Sequence, residues 1–173
     1  MVTNVGEDPF DRLMASVDPP LIVVTTSAEE QWAGCLVGFH AQSSITPHHY
    51  SIWLSKANHT YRVGLRAAHF AVHFLNAEEL ALAERFGTLT GEDTDKFAGV
   101  DVEADQNGVP RLSACQNWMS LDRIAILDDG GDHVCLTTRL SSAHADGDFA
   151  PLRLSNAAHL DPGHGNTERA VRP

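Results

Sequence analysis

The stretch Leu54-Ser55-Lys56-Ala57-Asn58-His59-Thr60-Tyr61-Arg62 gathers the residue types that hold an anion. A strand-like run ends in Ser-Lys-Ala-Asn and a helical pattern begins. The first turn of a helix leaves backbone N–H groups without partners and carries about half a positive charge. Ser55, Asn58 and Thr60 add hydroxyl or amide groups and Lys56 adds a full charge; together they form the kind of cradle that takes phosphate. Asn58 or Ser55 is equally suited to plain N-capping. The surroundings favour the anion: residues 31–77 contain no Asp or Glu, yet hold Lys56, Arg62, Arg66 and six of the ten histidines. Buried strands also exclude carboxylates, but they exclude lysine and arginine too.

Upstream, Gly34-Cys-Leu-Val-Gly-Phe-His-Ala-Gln-Ser-Ser-Ile-Thr-Pro47 reads as a strand that turns at proline. Gly38 allows a flat ring to lie against backbone, or marks a β-bulge. Neither GxGxxG nor GxxxxGK[ST] occurs, so common dinucleotide and triphosphate loops have no support. His48 and His49 are adjacent and face opposite ways on a strand, while His69 and His73 share a face about 13 Å apart. With no metal-like cysteine spacing, no metal site is expected. Cys35 with His40 or His133 could form a nucleophile–base pair, but without G-x-S-x-G a buried strand cysteine is the better reading.

A chain of 173 residues is one ordinary domain, and we expect residues 1–160 to form it, with 161–173 a polar tail. A net charge of −11 argues against nucleic-acid binding. No apolar run approaches the roughly 20 residues of a membrane helix, and the N-terminus lacks a secretory pattern. Three scattered cysteines suggest a reduced, cytoplasmic setting. Strand patterns are expected at residues 20–26, 33–41, 49–54, 69–75, 122–127, 133–140 and 151–154, and helical ones at 9–16, 58–68 and 77–87. Consecutive, short-linked strands predict a mainly β protein, an antiparallel sheet or barrel with peripheral helices.

Taken together, the Val-Thr-Thr strand, Ala33-Gly-Cys-Leu-Val-Gly-Phe-His-Ala-Gln-Ser-Ser-Ile-Thr-Pro47, Ser55-Lys-Ala-Asn-His-Thr-Tyr61, Phe70-Ala-Val-His-Phe-Leu75, Asp95-Lys-Phe-Ala-Gly99 and Gly131-Asp-His133 resemble the flavin reductase-like family with the FMN-binding split-barrel fold. The resemblance runs from about residue 9 to 160. It implies a homodimer of six-stranded, Greek-key-like antiparallel barrels with FMN or FAD near the interface. Members commonly reduce flavin with NADH or NADPH, often for a separate partner monooxygenase. Carried over by position, Val37, Gly38, Phe39, His40, Ser43 and Ser44 would border the ring and ribityl chain. Ser55, Lys56, Ala57, Asn58 and Thr60 would hold the phosphate. Phe86 would touch the cofactor, Lys96 would face a phosphate, and His133 would be the catalytic group beside the nicotinamide or flavin ring. Thr46-Pro47-His48 stands where many relatives read Asp-Pro-Pro, and Leu36 and Gly38 where they often carry Ser or Thr. A flavin carrier without a nicotinamide site, or a barrel using a deazaflavin or haem, remain the alternatives.

Overall fold

The computed structural model describes residues 8–161, so the expected tail lies, beyond Asp161, outside the described residues. Helix α1 (Pro9–Val17) is capped by the Asp8 carboxylate, which accepts the Phe10 N–H at 2.8 Å. The strands are β1 (Ile22–Ala28), β2 (Gln31–Val37), β3 (His40–Ser44), β4 (His49–Ser55), β5 (His69–Phe74), β6 (Val102–Ala104), β7 (Pro110–Leu112), β8 (Trp118–Leu127) and β9 (His133–His144). Helix α2 (His59–Gly64) precedes β5, helix α3 (Leu80–Thr88) follows it, and a 3₁₀ turn (Leu154–Ala157) comes last. β6 and β7 form a small separate ribbon; the other seven strands make one antiparallel sheet in the order β2-β1-β5-β8-β9-β4-β3.

That order forces the sheet to curl. β2 and β3 lie at opposite edges, yet only Gly38 and Phe39 join them. Two linking residues span roughly 10 Å at full extension. The edges are therefore side by side, and the Trp53 N–H of β4 donates to the Phe39 carbonyl at 2.9 Å across the junction. The result is a mainly β split barrel, as the resemblance implies, with one strand more than the expected six. The extra strand arises because the run 33–41 breaks at Gly38-Phe39 instead of continuing.

β1 is buried on both faces. Ile22 and Val24 point into the barrel with Cys35, Ile52, Leu54, Phe70, Val72, Leu121 and Leu136. Leu21 and Val23 point outward under α3 and the 3₁₀ turn, with Leu75, Phe86, Leu112 and Leu152. The period-2 alternation of a strand sorts neighbouring residues between two cores.

Other expected elements differ as well. Residues 151–154 form no strand: Pro151 makes an isolated bridge to Asn76, and the 3₁₀ turn starts at Leu154. The helix expected over 58–68 ends at Gly64, because the chain must turn into β5. The helix expected from residue 77 begins at Leu80, after Glu79 accepts the Asn76 N–H at 2.6 Å.

Candidate active site

Where the two sheet edges meet, a cleft of about 550 Å³ opens. Its apolar walls include Leu21, Leu36, Val37, Trp53, Phe86 and Leu154, and its polar groups are Ser55, Asn58, Asp132 and His133. Pairing of β4 with β9 builds the polar side: Ser55 lies opposite His133, and the Lys56 N–H donates to the Asp132 carbonyl at 2.9 Å. The turn 55–58 thus sits against the Gly131-Asp-His133 motif, 75 residues away in sequence.

His133 Nδ1 donates to Asp132 Oδ1 at 2.7 Å, a bond that fixes the proton of the neutral ring on Nδ1. That bond also holds the Asp132 carboxyl below its ordinary range. The His133 ring lies 4.9 Å from the exposed Phe39 ring, tilted by 58°. Gly38, the neighbour of Phe39, lines the same cleft. A Cβ added there would meet only Leu21 Cδ2, at an ordinary 3.6 Å.

Of the residues singled out from sequence, Val37, Gly38, Phe39, Ser55, Asn58, Phe86 and His133 line this one cleft. Cys35 and Leu36 line it too, whereas His40, Ser43, Ser44, Thr60 and Lys96 do not. His40 Nε2 donates to the Pro20 carbonyl at 2.8 Å, and its Nδ1 accepts from the Tyr50 hydroxyl at 2.6 Å. His40 thereby braces β3 and β4, burial lowers its pKa, and burial pushes Tyr50 up to about 12. Ser43 and Ser44 lie on β3, where the Ser43 hydroxyl accepts from Ser51 at 3.0 Å. Thr60 is buried in the barrel beside Cys35. The Cys35 thiol is itself buried and raised in pKa by desolvation, which leaves it no nucleophile's character. Lys96 is buried, with Nζ donating to the carbonyls of Gly34 (3.1 Å) and Phe86 (3.0 Å). It ties α3 to β2 rather than facing a phosphate.

The turn itself is closed upon the protein. Asn58 caps α2, its side chain accepting the Thr60 N–H at 2.9 Å, while the N–H groups of Ala57 and Asn58 go to the Ser55 hydroxyl and carbonyl. The acid-free stretch is matched in space by acids from elsewhere: Lys56 pairs with Asp128 at 3.0 Å, Arg62 with Glu92, and Arg66 with Glu29 at 3.2 Å. Sequence reasoning missed Asp132, although it is the middle residue of a quoted motif. It also missed Trp53, whose place between the inward Ile52 and Leu54 is the signal that it faces outward.

The flavin reductase-like domain matches residues 14–158 of this sequence. The chain belongs to the flavin reductase-like family. An FMN reductase (NADH) from Agrobacterium fabrum is 30% identical over 86% of this flavin reductase-like chain and 82% of its own length. Matches to three further curated relatives cover 64% to 75% of this chain and 38% to 63% of their own lengths. An NADH:FAD oxidoreductase from Streptomyces globisporus superposes with a TM-score of 0.72 at 21% identity, covering 83% of this chain and 88% of that one. Nitrilotriacetate monooxygenase component B from Mycobacterium thermoresistibile gives 0.72 at 21% identity, covering 82% and 77%. These two likenesses establish the shared fold.

Proposed function

We propose that the cleft binds the flavin ring and that the chain catalyses hydride transfer from NADH or NADPH to FMN or FAD. A bound flavin would supply the hydride-accepting ring atom; that chemistry is the cofactor's own. The residues present fit such a group. A volume of about 550 Å³ lies in the range of small-molecule sites. The lining is mostly apolar, with room at Gly38 and the polar groups of Ser55, Asn58, Asp132 and His133, which suits a flat heterocycle with hydrogen-bonding edges.

In this assignment Val37, Gly38 and Phe39 bound the ring and exclude water, and Phe86 closes the floor. Ser55, Lys56, Ala57 and Asn58 hold the phosphate end, with Thr60 and Lys96 supporting from the core. Asp132 fixes the His133 tautomer so that Nε2 can orient the nicotinamide or exchange a proton beside the ring. The single observation that carries the assignment is the convergence of Gly38-Phe39 and Asp132-His133 on one cleft at the split of the barrel.

The unit that does this is residues 1–160, as a homodimer in a reduced, cytoplasmic setting. Phe10, Leu13, Met14 and Val17 form one stripe of α1, all exposed, and offer an apolar face for a second copy. Cys35, Cys115 and Cys135 are free and buried. The reduced flavin would serve a separate monooxygenase, a role supported by the likeness to a monooxygenase component. The test is anaerobic: mixing protein, FMN or FAD, and NADH or NADPH should bleach the flavin band. Tight flavin that neither nucleotide bleaches would make the chain a carrier, and a dominant Soret band would make it a haem protein.

A further inference from the structure

The ammonium assigned to the flavin phosphate already holds a carboxylate. Lys56 Nζ lies 3.0 Å from Asp128 Oδ1, with the lysine side chain 12% exposed and the aspartate 49% exposed. Lysine is therefore the enclosed member of the pair, and the carboxylate is the member that water can take over. Asp128 starts the hairpin loop between β8 and β9, where its Oδ1 also accepts the Gly130 N–H at 2.9 Å. Gly130 has φ +91°, a conformation that lets the loop fold back to the turn 55–58. The bond from Gly130 and the ammonium of Lys56 keep the Asp128 carboxyl below its ordinary range, so it is ionised near neutrality. The nearby N–H groups of Lys56, Ala57 and Asn58 are also engaged, with Asp132 and Ser55.

We infer that Asp128 is an internal counter-ion standing in the place of the flavin phosphate, so that the phosphate adds little net affinity and the flavin exchanges freely. This inference rests on the phosphate assignment made above. A phosphate arriving at Lys56 must either displace Asp128 or share one ammonium with it, and two anions at that range repel. Displacement trades one anion for another on the same cation, which cancels most of the gain. Riboflavin has no phosphate and leaves the pair intact. FMN and riboflavin should then bind the wild-type protein within a few-fold of each other. Asp128 becomes the residue that sets how strongly the site selects a phosphorylated flavin.

The test is the Kd of FMN and of riboflavin by quenching of flavin fluorescence, in wild type, Asp128→Asn, Asp129→Asn and Lys56→Met. Asp128→Asn should tighten FMN about fivefold, the scale of one partly exposed charge pair, and leave riboflavin unchanged. Asp129→Asn removes the same charge from the same loop, where that carboxylate accepts the Gly131 N–H at 3.1 Å, and should change neither ligand. Unchanged or weaker FMN binding in Asp128→Asn, or equal tightening in Asp129→Asn, would overturn the counter-ion role. Lys56→Met separates the two claims: it should weaken FMN alone. Equal effects on both flavins there would refute the phosphate assignment itself.

Discussion

The chain has two lysines, and they stand in opposite settings. Lys96 is enclosed, its ammonium spent on two backbone carbonyls, and desolvation lowers its pKa. Lys56 sits in the turn whose Ser55 and Asn58 line the cleft, against a half-exposed carboxylate. The closed interior holds other polar groups in the same finished way. His73 is fully buried, with Nδ1 donating to the Val23 carbonyl and Nε2 accepting the Leu112 N–H, both at 3.1 Å. At the cleft, His133 uses Nδ1 on Asp132, a carboxylate that is itself exposed. Polar residues whose partners are all internal hold the barrel together; those with one replaceable partner are where chemistry can enter.

The largest expected effect lies at the mouth. His133→Ala should slow anaerobic flavin reduction by about 100-fold, the lower end for a general acid–base group. Stopped-flow absorbance would show it, with flavin affinity changed far less. In the interior, His73 has a pKa depressed to about 4 from 6.5, mainly by burial. The unfolded chain binds that proton first, so the stability present above pH 6.5 is lost as pH falls toward 4. The loss should reach about 3 kcal/mol in urea unfolding, and His73→Gln should flatten that pH slope.

Two glycines of the same segment sharpen the contrast. A Cβ on Gly34 would stand 2.9 Å from Phe86 Cε1 and 3.2 Å from Phe97 Cζ, so Gly34→Ala should cost about 2 kcal/mol of unfolding free energy. Gly38→Ala should leave stability nearly unchanged while weakening flavin binding, since the methyl enters the cleft. Asn58→Ala removes the α2 cap and should cost about 1 kcal/mol. The smallest effect belongs to Lys56→Met, whose half-exposed ion pair should leave urea unfolding of the apo protein nearly unchanged.

Much of this was legible in the sequence because it depends on local pattern. Strand periodicity identified β1, β4, β5 and β9 to within a few residues, and the motif order identified the family. What could not be read was pairing in space. Nothing in the run 33–41 says that Gly38-Phe39 would cross from one sheet edge to the other. The acid-free stretch looked like a bare cationic patch because Asp128, Glu92 and Glu29, which neutralise it, come from other segments. From sequence Lys96 is expected to face a phosphate, because its carbonyl partners, Gly34 and Phe86, lie in other segments. The short β6–β7 ribbon carries too few residues for a period-2 pattern.

The most direct measurement is a crystal structure of the protein grown with FMN. The ring should lie in the cleft that Gly38, Phe39 and His133 line, with its phosphate at the turn 55–58 and Lys56 released from Asp128. A ring bound outside that cleft, or a phosphate held by any other group, would contradict the account.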